Sequence, residues 1–469
     1  MIKPLDTDIV VGGGGMAGLM IAIALGRQGF RVVLLEPCVY NQQRLGGEIL
    51  QPMGVHALAQ LGLLDAAYTS NTTTLAGFHI WDDEAGDVQI NYSSPQFGIA
   101  IEHENLRRLL LNAATRIPNI NIVIGRVTGY AEQHDCIEVQ GTDKAENVTY
   151  RATLLIGADG ARSRIRTMAG IACRHGATSK LNILTFPDEL LPDTQTGHLF
   201  VGHGAIGFCY SLGQGKARLL VDHRQEISRS VREVAALLPE NDTCGFKRGL
   251  SELPDDQPIH HYVTSLAVVS KPYRGRVALI GDAAGTCHPI TASGMTSAIL
   301  DAVELAQTLS EHWENTPHAL ATYASRCRWR HASRVVLANA MYEIYTGTAP
   351  ECLPLRRAMI FDFGHQGSSS ASSLLSMTRD HPAMIVHTMT RTLLHGLMDL
   401  CVHPAPPTAY TRRSSRLRTG ISTSSRMLRY GTALFNTPWR FSMLNGHDSV
   451  SGSPAKAEHR RPPDETVRT

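Results

Sequence analysis

The sequence predicts an α/β protein built on a parallel sheet, with a strand-rich second domain interleaved and helices at the C-terminal end. Three observations carry that expectation: a strand, glycine turn, helix and second strand over residues 8–36; two later apolar strands that each run into a turn containing Gly and Asp; and short alternating runs between them.

Residues 8–36 read DIVVGGGGMAGLMIAIALGRQGFRVVLLE. Ile9 to Val11 form an apolar run of strand length, Met16 to Arg27 contain no proline, and Val32 to Leu35 form a second buried run. Between the first strand and the helix lies Gly13-x-Gly15-x-x-Gly18. These glycines serve a tight turn, close approach of backbone to a pyrophosphate, and close packing of helix on strand. Free amides at the helix start, with about half a unit of positive charge from the helix dipole, face the diphosphate. Glu36 ends the second strand 21 residues after Gly15, where a carboxylate accepts from a ribose diol. A Rossmann-type dinucleotide-binding unit follows. Gly12 stands where the pattern usually has a branched apolar residue and is expected to loosen the end of the first strand.

Farther along, Arg44 is the first cation able to reach a phosphate, with an ordinary surface arginine as the equal alternative. Gln51-Pro52 opens an amphipathic helix, and residues 76–92 alternate about a turn at Glu84 to Gly86, which predicts a β-hairpin of a second layer. Helical signals return at His103 to Ile117, and a strand at Asn121 to Ile124 leads to Gly125-Arg126-Val127. At residues 154–166, LLIGADGARSRIR, an apolar strand meets a turn with Asp159, Gly160 and three arginines. Asp-Gly is turn chemistry, yet such a strand end is also where an open α/β sheet places its ligand crevice. Residues 176–270 carry short alternating runs, the roof of an interdomain pocket. In RVALIGDAAGTCHPITASGMTSAILDAVEL, residues 276–305, a buried strand ends at Gly281-Asp282 and a helix starts near Gly294. Asp282 can accept from a polyol, or serve as a turn or cap residue. The helix start can stabilise negative charge on a cofactor ring, which suits a reduced flavin.

With 469 residues, 43% of them hydrophobic, the chain can bury one large core or two modest ones. Nine cysteines are scattered, with no Cys-x-x-Cys, and point to a reducing compartment. The first strand begins within ten residues of the start, so a cytoplasmic protein is expected. No apolar run has the length and freedom from charge of a spanning helix; Met384 to Val402 suits an amphipathic helix. Residues 404–469 hold 11 Lys and Arg against 4 Asp and Glu. A poorly ordered, solvated basic tail is expected there, with peripheral attraction to anionic lipid as the alternative. The remainder lacks a basic, aromatic-lined module, so no nucleic acid is expected. The 21 histidines form no cluster with metal spacing, and no metal is expected.

The glycine turn with Glu36, Asp159-Gly160 with its arginines, and Gly281-Asp282 before the last helix resemble, in that order, the FAD-dependent monooxygenases of the aromatic hydroxylase superfamily. RLGGEILQPM (residues 44–53) and HPITASGMTSAILD (residues 288–301) are most similar to squalene epoxidases. The resemblance extends through Gly77 to Tyr92 and into residues 330–400. It implies that Arg44 contacts the ribityl or phosphate portion of FAD, Val127 the adenine edge by its backbone, Asp282 the ribityl chain and Met295 the isoalloxazine by its amide, with Asp159 and Gly294 as further cofactor-binding candidates. It places Gln51 at the active site and Phe78 in the substrate pocket. This sequence departs from the family where Ala292-Ser293 replace two glycines, where Phe78 replaces a Tyr, and where no Arg directly precedes Leu106.

The implied fold is a Rossmann-type FAD-binding domain in three parts (1–75, 101–175, 271–330). A β-sheet substrate domain (76–100 and 176–270), C-terminal helices (331–403) and a tail (404–469) complete it. The implied reaction inserts one oxygen atom from O2 into a small, electron-rich apolar substrate through a flavin hydroperoxide. Epoxidation of an isoprenoid or polyunsaturated chain leads, with NAD(P)H as electron donor directly or through a redox partner. Alternatives are hydroxylation of an aromatic or quinone-type substrate, flavin-dependent prenyl reduction, and a non-catalytic flavin-binding protein.

Overall fold

The computed structural model describes residues 4–38, 45–68, 71–144, 146–202, 204–223, 227–240, 244–364, 370–377, 382–402 and 412–435. The opening unit forms as its pattern requires: β1 (Ile9–Gly12), α1 (Met16–Arg27) and β2 (Val32–Leu35). Then come α2 (Pro52–Gln60), the hairpin β3 (Gly77–Asp82) and β4 (Gly86–Asn91), α3 (His103–Thr115), β5 (Ile120–Val123), β6 (Leu154–Gly157) and α4 (Arg164–Met168). A run of strands follows: β7 (Cys173–Pro187), β8 (Thr196–Gly202), β9 (Ala205–Gly213), β10 (Lys216–Asp222), β11 (Ile259–Val269) and β12 (Val277–Leu279). The chain then turns helical, with α5 (Gly294–Glu311), α6 (Thr316–Thr346), α7 (Cys352–Gly364), α8 (Pro382–Val402) and α9 (Arg412–Phe435).

Strands β12, β6, β1, β2 and β5 lie in that order in one parallel sheet, with Tyr273–Arg274 added antiparallel outside β12. Alternate residues face two different layers. Ile9 and Val11 pack with α1 and α5, while Val10 packs with Ile137, Val139 and Tyr150 of a small antiparallel sheet. Cover on both faces is why these strands read as continuous apolar runs. Gly12, Leu35, Gly157 and Leu279 stand in register, so β1, β2, β6 and β12 end along one edge. The turns at Gly13, Asp159 and Asp282 therefore emerge side by side at the carboxyl ends of the strands, where open α/β sheets bind ligands.

A second sheet has the order β11, β7, β10, β9, β8, β3, β4, with Gly285–Thr286 added beyond β11. Leu181, Ile183, Phe208, Tyr210 and Leu220 share one face with residues of α6 and α7, while Leu184, Phe186, Cys209, Leu219 and Val221 fill a core on the other. The pairing of Ala267 with Thr286 ties the loop before α5 to this sheet.

The expectation of a poorly ordered tail is corrected over residues 412–435, which form α9. Thr419, Thr423, Met427 and Tyr430 make a buried stripe at helical spacing. Tyr430 donates to Glu343 Oε2 at 2.7 Å, and Arg426 bridges Glu343 at 3.3 Å and Glu351 at 2.9 Å. Neither a stripe half made of threonine nor glutamates about 75 residues away gives the composition of this segment an apolar period.

Candidate active site

At the end of β1 the chain turns through Gly13 with φ of 108°. A Cβ there would lie 2.4 Å from the Ala158 carbonyl oxygen, and one at Gly18 would lie 1.8 Å from that of Gly13. Gly15 has nothing within 4 Å of such an atom and faces open space at the start of α1. Gly12 corrects the expectation of a loosened strand end: Ile165 and Val127 fill its place, 2.4 and 3.0 Å from a built Cβ. Its smallness serves packing.

Glu36 is buried and accepts from the Gly14 amide at 2.6 Å and the Cys38 amide at 2.8 Å. Arg107, 1% exposed on α3, donates to the Gly14 carbonyl at 3.1 Å and the Cys38 carbonyl at 3.0 Å. The two side chains thus hold the same pair of residues, Gly14 and Cys38, one by their amides and one by their carbonyls. Sequence reasoning missed Arg107, although a cation on the otherwise apolar stripe of Leu106, Leu110, Leu111 and Ala114 is a signal that a buried acceptor awaits it.

A single cavity of about 1440 Å³ is lined by Gly13, Gly15, Glu36, Val127, Asp159, Asp282, Gly294 and Met295. It exceeds the roughly 300–1,000 Å³ usual for a drug-sized ligand. Asp159 lines it while its carboxylate accepts from Ser163 Oγ and from the Arg164 and Ile165 amides at 2.7 and 3.1 Å, capping α4. Arg166, the buried member of the three arginines, donates to the Ala283 carbonyl at 3.0 Å and to that of Ala161 at 2.8 Å, joining the Asp159 and Asp282 turns. The amide of Gly281 donates to Asp301 Oδ2 at 3.1 Å, and Asp301 Oδ1 takes Arg330 at 2.7 Å and His331 at 2.8 Å. Burial opposes ionisation of Asp301, but His331 and Arg330 hold its carboxyl well below the usual range.

Opposite the turns, the second sheet contributes Leu181, Ile183, Phe208, Tyr210 and Leu220 to the same cavity. Tyr210 donates to Glu48 Oε2 at 3.0 Å, and Arg218 grips both oxygens of Glu48 at 3.0 and 2.9 Å, all three side chains being buried. Burial, reinforced by Glu48, pushes the Tyr210 phenol well above its ordinary value. This trio was also missed; Glu48 and Arg218 are 170 residues apart and carry no local signal.

Gln51 and Phe78 stand one layer behind the cavity wall. Gln51 has no exposed surface, accepts from Tyr92 Oη at 2.7 Å and donates from Nε2 to the Thr291 carbonyl at 3.2 Å. Phe78 packs edge-on to Tyr92, ring centroids 5.8 Å apart, and lies 6.0 Å from Phe208, which does line the cavity. Arg44 lies outside the described residues. His288 Nδ1 accepts from the Ile290 amide at 3.2 Å, which leaves Nε2 to donate to Asp222 at 3.0 Å and ties the loop before α5 to β10.

These features fit a flavin dinucleotide. Gly15 and Gly294, each with nothing within 4 Å of a built Cβ, open the starts of α1 and α5 to one cavity, so two helix ends offer free amides to its negative parts. A family profile described as FAD binding domain matches residues 6–338. The chain is 28% identical to squalene monooxygenase from Mus musculus, over 81% of this chain and 70% of that one. It is 28% identical to squalene epoxidase erg1 from Aspergillus fumigatus, over 84% and 86%. Among solved structures, PqsL from Pseudomonas aeruginosa, titled a probable FAD-dependent monooxygenase, superposes with a TM-score of 0.65 at 22% identity, over 76% of this chain and all of that one. p-Nitrophenol 4-monooxygenase PnpA from Pseudomonas putida gives 0.65 at 20% identity, over 83% and 99%. The chain belongs to the FAD binding domain family and is an FAD-dependent monooxygenase.

Proposed function

We propose that the protein transfers one oxygen atom from O2 to an electron-rich, largely apolar substrate, and that the reaction is epoxidation of an isoprenoid or polyunsaturated chain. The observation that carries this reading is the wall of Leu181, Ile183, Phe208 and Leu220, which shares one cavity with the start of α5. The likeness to squalene epoxidases over most of the chain supports it. FAD would be held by the Gly13, Gly15 and Gly18 turn and Glu36 at its adenylate half, by Val127 at the adenine edge and by Asp282 along the ribityl chain, with Arg44 and Asp159 added by the resemblance alone. The Gly294 and Met295 amides, which line the cavity, would serve its ring. When bound and reduced with electrons from NAD(P)H, directly or through a redox partner, FAD supplies the activated oxygen. One atom enters the alkene to give an epoxide, and the other leaves as water with two electrons and two protons. The apolar wall keeps bulk water from the reacting atoms. Gln51 positions the 288–296 loop through Thr291, and Phe78 supports Phe208.

A phenol requires a polar partner beside its hydroxyl. Tyr210 lines the cavity with its hydroxyl donating to Glu48, so it can meet a phenol only as an acceptor. Comparing polyene and phenol substrates under labelled oxygen tests the choice. Label in polyene products supports epoxidation, label in phenols alone supports aromatic hydroxylation, and oxygen-independent saturation identifies a prenyl reductase.

No helix among the described residues is long and apolar enough to cross a membrane. Leu394, Met398 and Val402 on α8 and Ile421 and Leu428 on α9 are exposed, as is Arg418 on α9, a composition suited to peripheral contact with an anionic membrane. Flotation with anionic and neutral vesicles tests this, and equal recovery with both would exclude it.

A further inference from the structure

Ala292 lines the cavity immediately before α5 in the left-handed region, at φ 46° and ψ 34°. Its methyl packs against the cluster that contains Ile183, Phe208 and Leu220. That backbone conformation opposes an L side chain, and a glycine adopts it freely. Bonds at Ala292 and at its neighbours nevertheless hold it. The Ala292 amide donates to the Pro289 carbonyl at 2.8 Å, Thr291 and Ser293 join their hydroxyls at 2.8 Å, and Gln51 holds the Thr291 carbonyl at 3.2 Å. His288, clamped between the Ile290 amide and Asp222, anchors the upstream end. Strain retained beside a reaction cavity by so many contacts points to work done there by the side chain.

We propose that Ala292 is a specificity-determining residue, whose methyl sets how much bulk an alkene can carry when it reaches the start of α5. The proposal rests on the epoxidase reading above. Ala292→Gly relieves the backbone and opens one methyl of room, so its effects on stability and on selectivity run in opposite directions.

The probes are squalene and an analogue whose terminal double bond bears one additional methyl, followed by labelled oxygen into the epoxide. Because a single methyl in an apolar pocket changes discrimination by about tenfold or more, the analogue-to-squalene ratio of kcat/KM rises by about tenfold in Ala292→Gly. FAD content stays at the wild-type level, and the melting temperature is equal or higher. Ala292→Ser, which keeps the volume, retains the wild-type ratio. Label in the wild-type product with an unchanged ratio in Ala292→Gly overturns this inference alone. An equal rise in Ala292→Ser also overturns it, and no label from either alkene in the wild type overturns the epoxidase reading together with it.

Discussion

Replacing Arg107 with methionine keeps the buried stem and removes a guanidinium that donates to the Gly14 and Cys38 carbonyls at 3.1 and 3.0 Å. An orphaned buried carbonyl costs about 1–3 kcal/mol; the Gly14 contact is buried and the Cys38 contact only partly so, so the folded apoprotein loses roughly 1–3 kcal/mol. The same two residues present their amides to Glu36, so the turn that receives the diphosphate slackens as well. A ligand that restores that order loses about 1.4–2.8 kcal/mol of binding, a ten- to hundredfold rise in the Kd for FAD. Fluorescence titration of the deflavinated protein with FAD, run beside thermal melts of apoprotein and holoprotein, separates the two effects. Arg107→Lys gives an intermediate value, because a single ammonium cannot span two carbonyls as a planar fork does. A melting temperature that falls with no change in FAD affinity refutes the coupling between Arg107 and the turn.

Other outcomes follow from the same contacts. Glu36→Ala removes a charged acceptor and weakens FAD binding by roughly ten- to hundredfold, read by the same titration; unchanged affinity in a folded variant removes Glu36 from the site. Arg218→Met leaves Glu48 as a buried, unpaired carboxylate and lowers stability by about 3–5 kcal/mol in denaturant melts, whereas adding Glu48→Met recovers much of the loss. An equally unstable double variant would contradict that account. Asp301→Asn loses an acceptor whose folded pKa is depressed from its ordinary 3.8. The wild-type advantage is therefore full above that value and shrinks as pH falls toward the depressed one, so a deficit independent of pH between 6 and about 2 counts against ionised Asp301 as the hub.

What could be read from the sequence is what is local. The Gly13 turn, α1 and Glu36 lie within 29 residues, and their spacing alone arranges a strand, a turn and an acid at one sheet edge. The β3 and β4 hairpin and the turn at Asp282 were legible for the same reason. Arg107 was not, because its acceptors lie 93 and 69 residues away. Asp159 reads as a polar residue in a ligand crevice, and only the fold shows its carboxylate capping α4. Gln51 belongs to a segment most similar to squalene epoxidases and Phe78 to the stretch over which that resemblance extends, yet motif spacing does not tell a cavity wall from the layer behind it. In α9 the buried stripe includes two threonines and its ion pairs reach another helix, so composition suggests a tail where packing builds a helix.

The most direct measurement is a single-turnover reaction of reduced, FAD-loaded protein with a polyene under labelled O2, with product mass, water label and peroxide quantified together. Coupled oxygen transfer predicts one labelled atom in an epoxide and one in water for each pair of electrons consumed, with little peroxide. Reoxidation that delivers all of the label to peroxide and water across polyene and phenol substrates alike, or a saturated product free of label, would contradict it.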